Sequence, residues 1–166
     1  QTGDGNVSMK NLVNSSGVVA ADVSGVGTAR RMISGATYGT DKGIFAYGYV
    51  SGNVNMSNLM NNSGVIAADV TGVGTARRGT GSTGYGADKA IYAFGLAGAD
   101  TNLSNLVSNV GVVASDTSGV GTARAELVGV RYGGDKAIMS FGTTAATKTN
   151  LISNLGVVGS DVTQVG

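Results

Sequence analysis

An arginine recurs at Arg30, Arg77 and Arg124, each eight residues after an aspartate at Asp22, Asp69 and Asp116. Guanidinium and carboxylate at fixed spacing support two kinds of chemistry: mutual pairing and capping of backbone carbonyls, or a ring of arginines that binds an anion. The same residue type in every unit favours the structural pairing between neighbouring units. A second acidic set, Asp41, Asp88 and Asp135, is followed each time by lysine (Lys42, Lys89, Lys136) and preceded by Tyr-Gly-x. That is the chemistry of a tight turn with a solvated rim. No second acid recurs at a defined offset, so no general acid/base pair is expected.

Asn11, Asn58, Asn105 and Asn150 each precede leucine. Their amides suit exposed backbone along an extended segment, with a repeated polar ligand site as the alternative. Thr2-Gly-Asp-Gly-Asn6 has the opening of a calcium loop without its later acidic ligands, so no metal site is expected. Cysteine and histidine are absent. Their loss removes the usual nucleophile, the usual base near neutral pH and the commonest transition-metal ligands. No catalytic residue and no cofactor are expected.

The elements that must position these groups follow from a period of 47 residues, set by Val-Gly-Thr-Ala-Arg at Val26, Val73 and Val120 and by Tyr-Gly-x-Asp-Lys at Tyr38, Tyr85 and Tyr132. A third string, Asn-Leu through Gly-Val to Asp, occurs four times, so three whole units follow a half. Each unit reads as four short strands. A variable strand A and an apolar strand B, buried on both faces, flank the Gly and Asp turn. Strands C and D flank Asn61-Asn-Ser-Gly64 and its counterparts. Helix is the competing reading of Gly-Val-Val-Ala-Ala-Asp, but glycine recurs there too closely. The expected fold is all-β: a propeller-like array of four-stranded antiparallel blades in one repeat domain over 1–166. Its divisions are a half-blade at 6–27 and blades at 28–74, 75–121 and 122–166.

With a formal charge of +1 and 13% charged residues, the chain has no basic field for nucleic acid. It has no apolar run long enough for a membrane span. A chain that opens on Gln, midway through a unit, reads as a processed product or a fragment. An unfinished half-blade leaves a strand edge at Asn6–Met9. The ring would be completed by further copies of the chain or by the rest of a longer chain, because an exposed edge invites pairing.

The pattern Arg-x(7)-Tyr-Gly-x-Asp-Lys-x-Ile-x-x-Tyr/Phe-Gly resembles the Kelch blade, over all three whole units. The double glycine of that blade is single here (Gly48, Gly95, Gly142), and its strand-D tryptophan is replaced by Val65, Val112 or Val157. The chain is therefore similar to a divergent Kelch-like propeller. The strings Asn-Leu-x-Ser-Asn-x-Gly-Val-Val-Ala-x-Asp and Gly-Val-Gly-Thr-Ala-Arg also look like repeat arrays of structural and tail-associated proteins of marine bacteriophages. That likeness implies a virion or other extracellular setting.

Recognition is expected where the units differ: at 31–37, 78–84 and 125–131, and again at 49–53, 96–100 and 143–147. Tyr49, Ser51, Asn53, Asp100, Thr143 and Lys148 are the candidate ligand-binding residues, with a host-surface glycan as the expected ligand. Drift at unconstrained positions is the alternative. Tyr38, Tyr85, Tyr132, Tyr47, Phe94 and Phe141 are expected to pack between units, whereas Tyr49 has the better chance of exposure. The functional expectation is a non-enzymatic structural or adhesion module. A Kelch-type protein-interaction scaffold is the alternative, and a propeller hydrolase using Asp41, Asp88 or Asp135 the remotest.

Overall fold

Turn chemistry sets the strand boundaries. In the computed structural model, which describes residues 5–163, Ser34–Tyr38 (β1) and Lys42–Ala46 (β2) form a hairpin with Tyr38 opposite Lys42. Between them Gly39 and Thr40 take φ of 57° and 69°, the left-handed backbone that glycine enters without steric cost. Ser57–Met60 (β3) adds to the other edge of β2. The pattern repeats at Gly81–Tyr85 (β4), Lys89–Leu96 (β5) and Asp100–Val107 (β6). It repeats again at Val128–Tyr132 (β7), Lys136–Ser140 (β8), Lys148–Ile152 (β9) and Val158–Thr163 (β10).

Three antiparallel sheets result, ordered β1-β2-β3, β4-β5-β6 and β10-β9-β8-β7. They do not close into a ring, and no helix occurs among the described residues. The expectation of four strands per unit holds in full only for the last. In the first two units strand D is reduced to isolated bridges, Ser57 with Val70 and Met60 with Ile66, then Ser104 with Thr117 and Val107 with Val113. In all three units the asparagine amide bonds across to strand D: Asn58 to Ala67 O, Asn105 to Ala114 O and Asn150 to Gly159 O.

Packing between sheets makes the core. Tyr38, Ile44, Ala46 and Tyr47 of the first unit meet Ala90, Tyr92 and Val107 of the second. Tyr85, Ile91, Ala93 and Phe94 meet Leu127, Ala137, Met139 and Ile152 of the third. Strand β5 is therefore buried on both faces, as its apolar run predicts. Each large apolar side chain so buried contributes about 1.5–3 kcal/mol. The N-terminal half-unit is a hairpin with Lys10 opposite Val23 and Val13 opposite Val19. It stacks on the first unit through the Lys10 ammonium, which donates to Gly64 O at 2.7 Å.

Candidate functional site

The recurring arginines are structural, and their partner is not the aspartate that precedes them. Arg30 Nε donates to Tyr47 O at 3.0 Å and Arg30 NH2 to Asn58 Oδ1 at 2.6 Å. Its ion pair is with Asp69, 3.6 Å away, and not with Asp22. Arg77 and Arg124 repeat this with Asn105 and Asp116, and with Asn150 and Asp161. Asp161, absent from the expected set, closes the last unit. Each aspartate also accepts from a threonine at the head of its own unit: Thr28 Oγ1, Thr75 Oγ1 and Thr122 Oγ1 lie 2.7, 2.7 and 2.6 Å from Asp69, Asp116 and Asp161. Thr-x-Arg, Asn and Asp thus form a clasp between the entering chain and the C–D hairpin.

Electrostatics bind the clasp tighter. Burial pushes the Asp69 and Asp116 carboxyls up, but the bonds from threonine and asparagine and the arginine charge outweigh it, holding both below the usual carboxylate range. At Asp161 the Thr122 hydroxyl is the largest influence, in the same direction. Arg77 and Arg124 are fully buried. Their guanidinium carbons stand 4.2 Å from the ring centroids of Tyr47 and Phe94 of the preceding unit, a desolvated cation–π contact.

The Asp-Lys pairs are turn groups, as read from the sequence. Asp41 pairs with Lys42 at 3.3 Å and accepts from Asn62 at 3.1 Å; Asp88 pairs with Lys89 at 3.1 Å and accepts from Asn109 at 3.0 Å. The carbonyls of Asp88 and Asp135 accept the Gly39 and Gly86 amides of the unit before. Among the described residues no group of three His, Cys, Asp or Glu side chains gathers. Most of the Thr2–Asn6 segment lies outside the described residues; Asn6 itself donates to Val50 O at 3.2 Å.

The two variable clusters part company. The A-strand segments lie largely at the contact between sheets: Ser82 Oγ donates to Gly35 O at 2.7 Å, Ser34 Oγ bonds Thr80 O, and Thr80, Thr83 and Leu127 are buried. Much of their variation serves packing. The B–C loops instead line one edge, each tied to the next. Asn53 Nδ2 donates to Leu96 O at 2.9 Å, and Asp100 accepts from Thr144 Oγ1 at 2.7 Å.

Within that row the structure assembles a group that the candidate residues contain only in part. Arg31 and Arg78, from the heads of successive units, both stand 5.0 Å from the Tyr49 ring centroid. The backbones of Arg31 and Tyr49 exchange both hydrogen bonds, at 3.0 and 2.8 Å. Arg78 NH1 donates to Asn53 Oδ1 at 2.8 Å. Tyr49 is half-buried, Arg31 and Ser51 are exposed, and neither guanidinium has a carboxylate partner among the described residues. Asn53 is thus a supporting group, and the two arginines are the residues that sequence reasoning missed. The other candidates sit further along the row: Thr143 Oγ1 contacts Asp100 at 3.5 Å and Lys148 Nζ contacts Thr163 at 3.5 Å. The next junction has Leu96 in place of Tyr49 and Ala125 in place of Arg78, so the arrangement occurs once. Comparison with protein-family models and with curated proteins finds no match.

Proposed function

We propose that this chain is a non-enzymatic structural and adhesion module of a virion or other extracellular assembly, whose row of B–C loops recognises an acidic glycan on a host surface. The observation that carries it is the cluster of Arg31, Tyr49 and Arg78. Two guanidiniums without carboxylate partners among the described residues flank a half-buried aromatic, a combination suited to a sugar ring bearing a carboxylate or sulfate. The clasps supply the rigid frame that such a surface needs. Contact of the A strands across units, as in the inner strands of blades, supports a divergent Kelch-like propeller built from more units than this chain holds.

A glycan array containing neutral, sialylated, uronic-acid and sulfated oligosaccharides tests the reading. Binding is expected for the acidic sugars, weakened at least tenfold by Arg31→Ala and by Tyr49→Ala. Binding confined to neutral sugars, or unchanged in both variants, overturns the assigned site. Absence of glycan binding, with specific capture of a protein by the same loop row, favours the Kelch-type interaction scaffold instead.

A further inference from the structure

Every complete unit closes on an incoming arginine, and the N-terminal hairpin carries the same receptor without one. Asn11 Nδ2 donates to Asp22 Oδ1 at 2.8 Å and to Ala20 O at 3.0 Å. Asn58 makes the equivalent bonds to Asp69 and Ala67 O at 2.9 and 3.1 Å. In the complete units the asparagine Oδ1 then accepts from arginine NH2 at 2.6 Å. Among the described residues nothing donates to Asn11 Oδ1, and Asp22 accepts from Asn11 alone.

Three further observations converge on this edge. Lys10 and Leu12 spend their inward backbone groups on Val23 and Ala20. By the alternation of an antiparallel strand, Asn11 and Val13 therefore turn theirs outward, where β2 lies in the first complete unit. A cavity of about 290 Å³ opens beside them, lined among others by Val7, Met9, Thr28, Arg30, Ile33 and Phe45. Finally, among the described residues Arg30 has no aromatic beneath it, whereas Arg77 and Arg124 do. The Arg77 and Arg124 carbonyls accept the Gly48 and Gly95 amides, and among the described residues Arg30 O has no such donor.

We infer that Lys10–Val13 is an acceptor edge for a β-hairpin of this same repeat type from outside residues 1–166. The hairpin is recognised at two points: its Thr-Ala-Arg head enters the Asn11–Asp22 clasp, and its aromatic-glycine end lies under Arg30. The spacing fits, since Phe94 O is bonded by Arg77 from 17 positions earlier within one unit. The occupant thus completes the first unit by strand addition. The register inside the chain moves the pairing from the Asn6–Met9 expected from sequence to Lys10–Val13.

The probe is a synthetic peptide of residues 73–96 of this chain, titrated into the 166-residue chain by calorimetry. Saturable 1:1 binding is expected, weakened at least tenfold by Asn11→Ala or Asp22→Ala in the protein and by Arg77→Leu in the peptide. A fusion that tethers residues 73–96 ahead of the chain removes the dependence on peptide affinity. There, hydrogen exchange at the Asn11 and Val13 amides should slow at least tenfold, and Asn11→Ala should reverse the effect. Unchanged exchange in the fusion, or peptide binding indifferent to Asn11 and Asp22, overturns the inference.

Discussion

Replacing Arg77 by methionine should cost more stability than the same change at Arg30, and the structure says by how much. Both arginines make three equivalent bonds: Arg77 to Phe94 O, Thr75 O and Asn105 Oδ1 at 2.8, 3.2 and 2.6 Å. Those of Arg30 run to Tyr47 O, Thr28 O and Asn58 Oδ1 at 3.0, 3.3 and 2.6 Å. Breaking such a buried charged network by removing one member costs roughly 3–5 kcal/mol. Only Arg77 also stacks on an aromatic, Tyr47, at 4.2 Å. A desolvated cation–π contact adds about 2 kcal/mol. Arg77→Met should therefore exceed Arg30→Met by about 2 kcal/mol in urea unfolding followed by circular dichroism, compared at equal m-values. Equal losses, or a larger loss at Arg30, refute the idea that successive units are coupled through the arginine on the aromatic ring.

Among the described residues the buried Tyr47 hydroxyl has no hydrogen-bond partner in geometry, and burial pushes it up to about 12 against the lowering influence of the Arg77 charge. Tyr47→Phe, which copies Phe94, should be neutral or raise stability by about 1 kcal/mol; a thermal melt showing a loss beyond that contradicts the assignment. Because the Asp69, Asp116 and Asp161 carboxyls are held low when folded, the stability they confer is fully present above the ordinary carboxylate pKa of about 3.9. It is lost as pH falls through the folded values, so the urea midpoint should drop below about pH 4; a midpoint flat to pH 2 would count against the clasp. Gly111→Ala should cost about 2–4 kcal/mol, from φ of +84° and a Cβ placed 2.9 Å from Leu59 and 3.0 Å from Tyr38. Gly17→Ala, with φ of +77° and nothing within 4 Å, should cost only about 1–2 kcal/mol. Equal losses would deny that the C–D turns stack unit on unit.

The hairpins were legible because glycine and aspartate punctuate apolar runs at positions that leave few other backbone choices. The clasp partner was not. In a tandem array every offset recurs, so the short step from Asp22 to Arg30 repeats as faithfully as the long step from Arg30 to Asp69; only three-dimensional pairing separates them. The A-strand segments count among the recognition candidates because variation alone does not distinguish a solvated position from one that packs against a neighbour that also varies. Ser34 and Thr80 meet across such a contact. The Arg31–Tyr49–Arg78 group escaped notice because it joins residues of two units that become adjacent only through stacking. Asn53 and Tyr49 stand out in the sequence because their loop departs from its counterparts, and the structure places both beside Arg78.

Tyr47, Phe94 and Phe141 all adopt left-handed backbone, with φ of 62°, 62° and 64°, a conformation that costs an aromatic residue roughly 1–3 kcal/mol. It turns their carbonyls to the arginine Nε of their own unit. For the first two, the arginine of the next unit covers the ring and both are fully buried; Phe141 is 57% exposed. Phe141 thus carries the strain without the arginine cover that offsets it at Tyr47 and Phe94. The backbone cost of each unit is met by its neighbour, so the fold is held by stacking rather than by any unit alone.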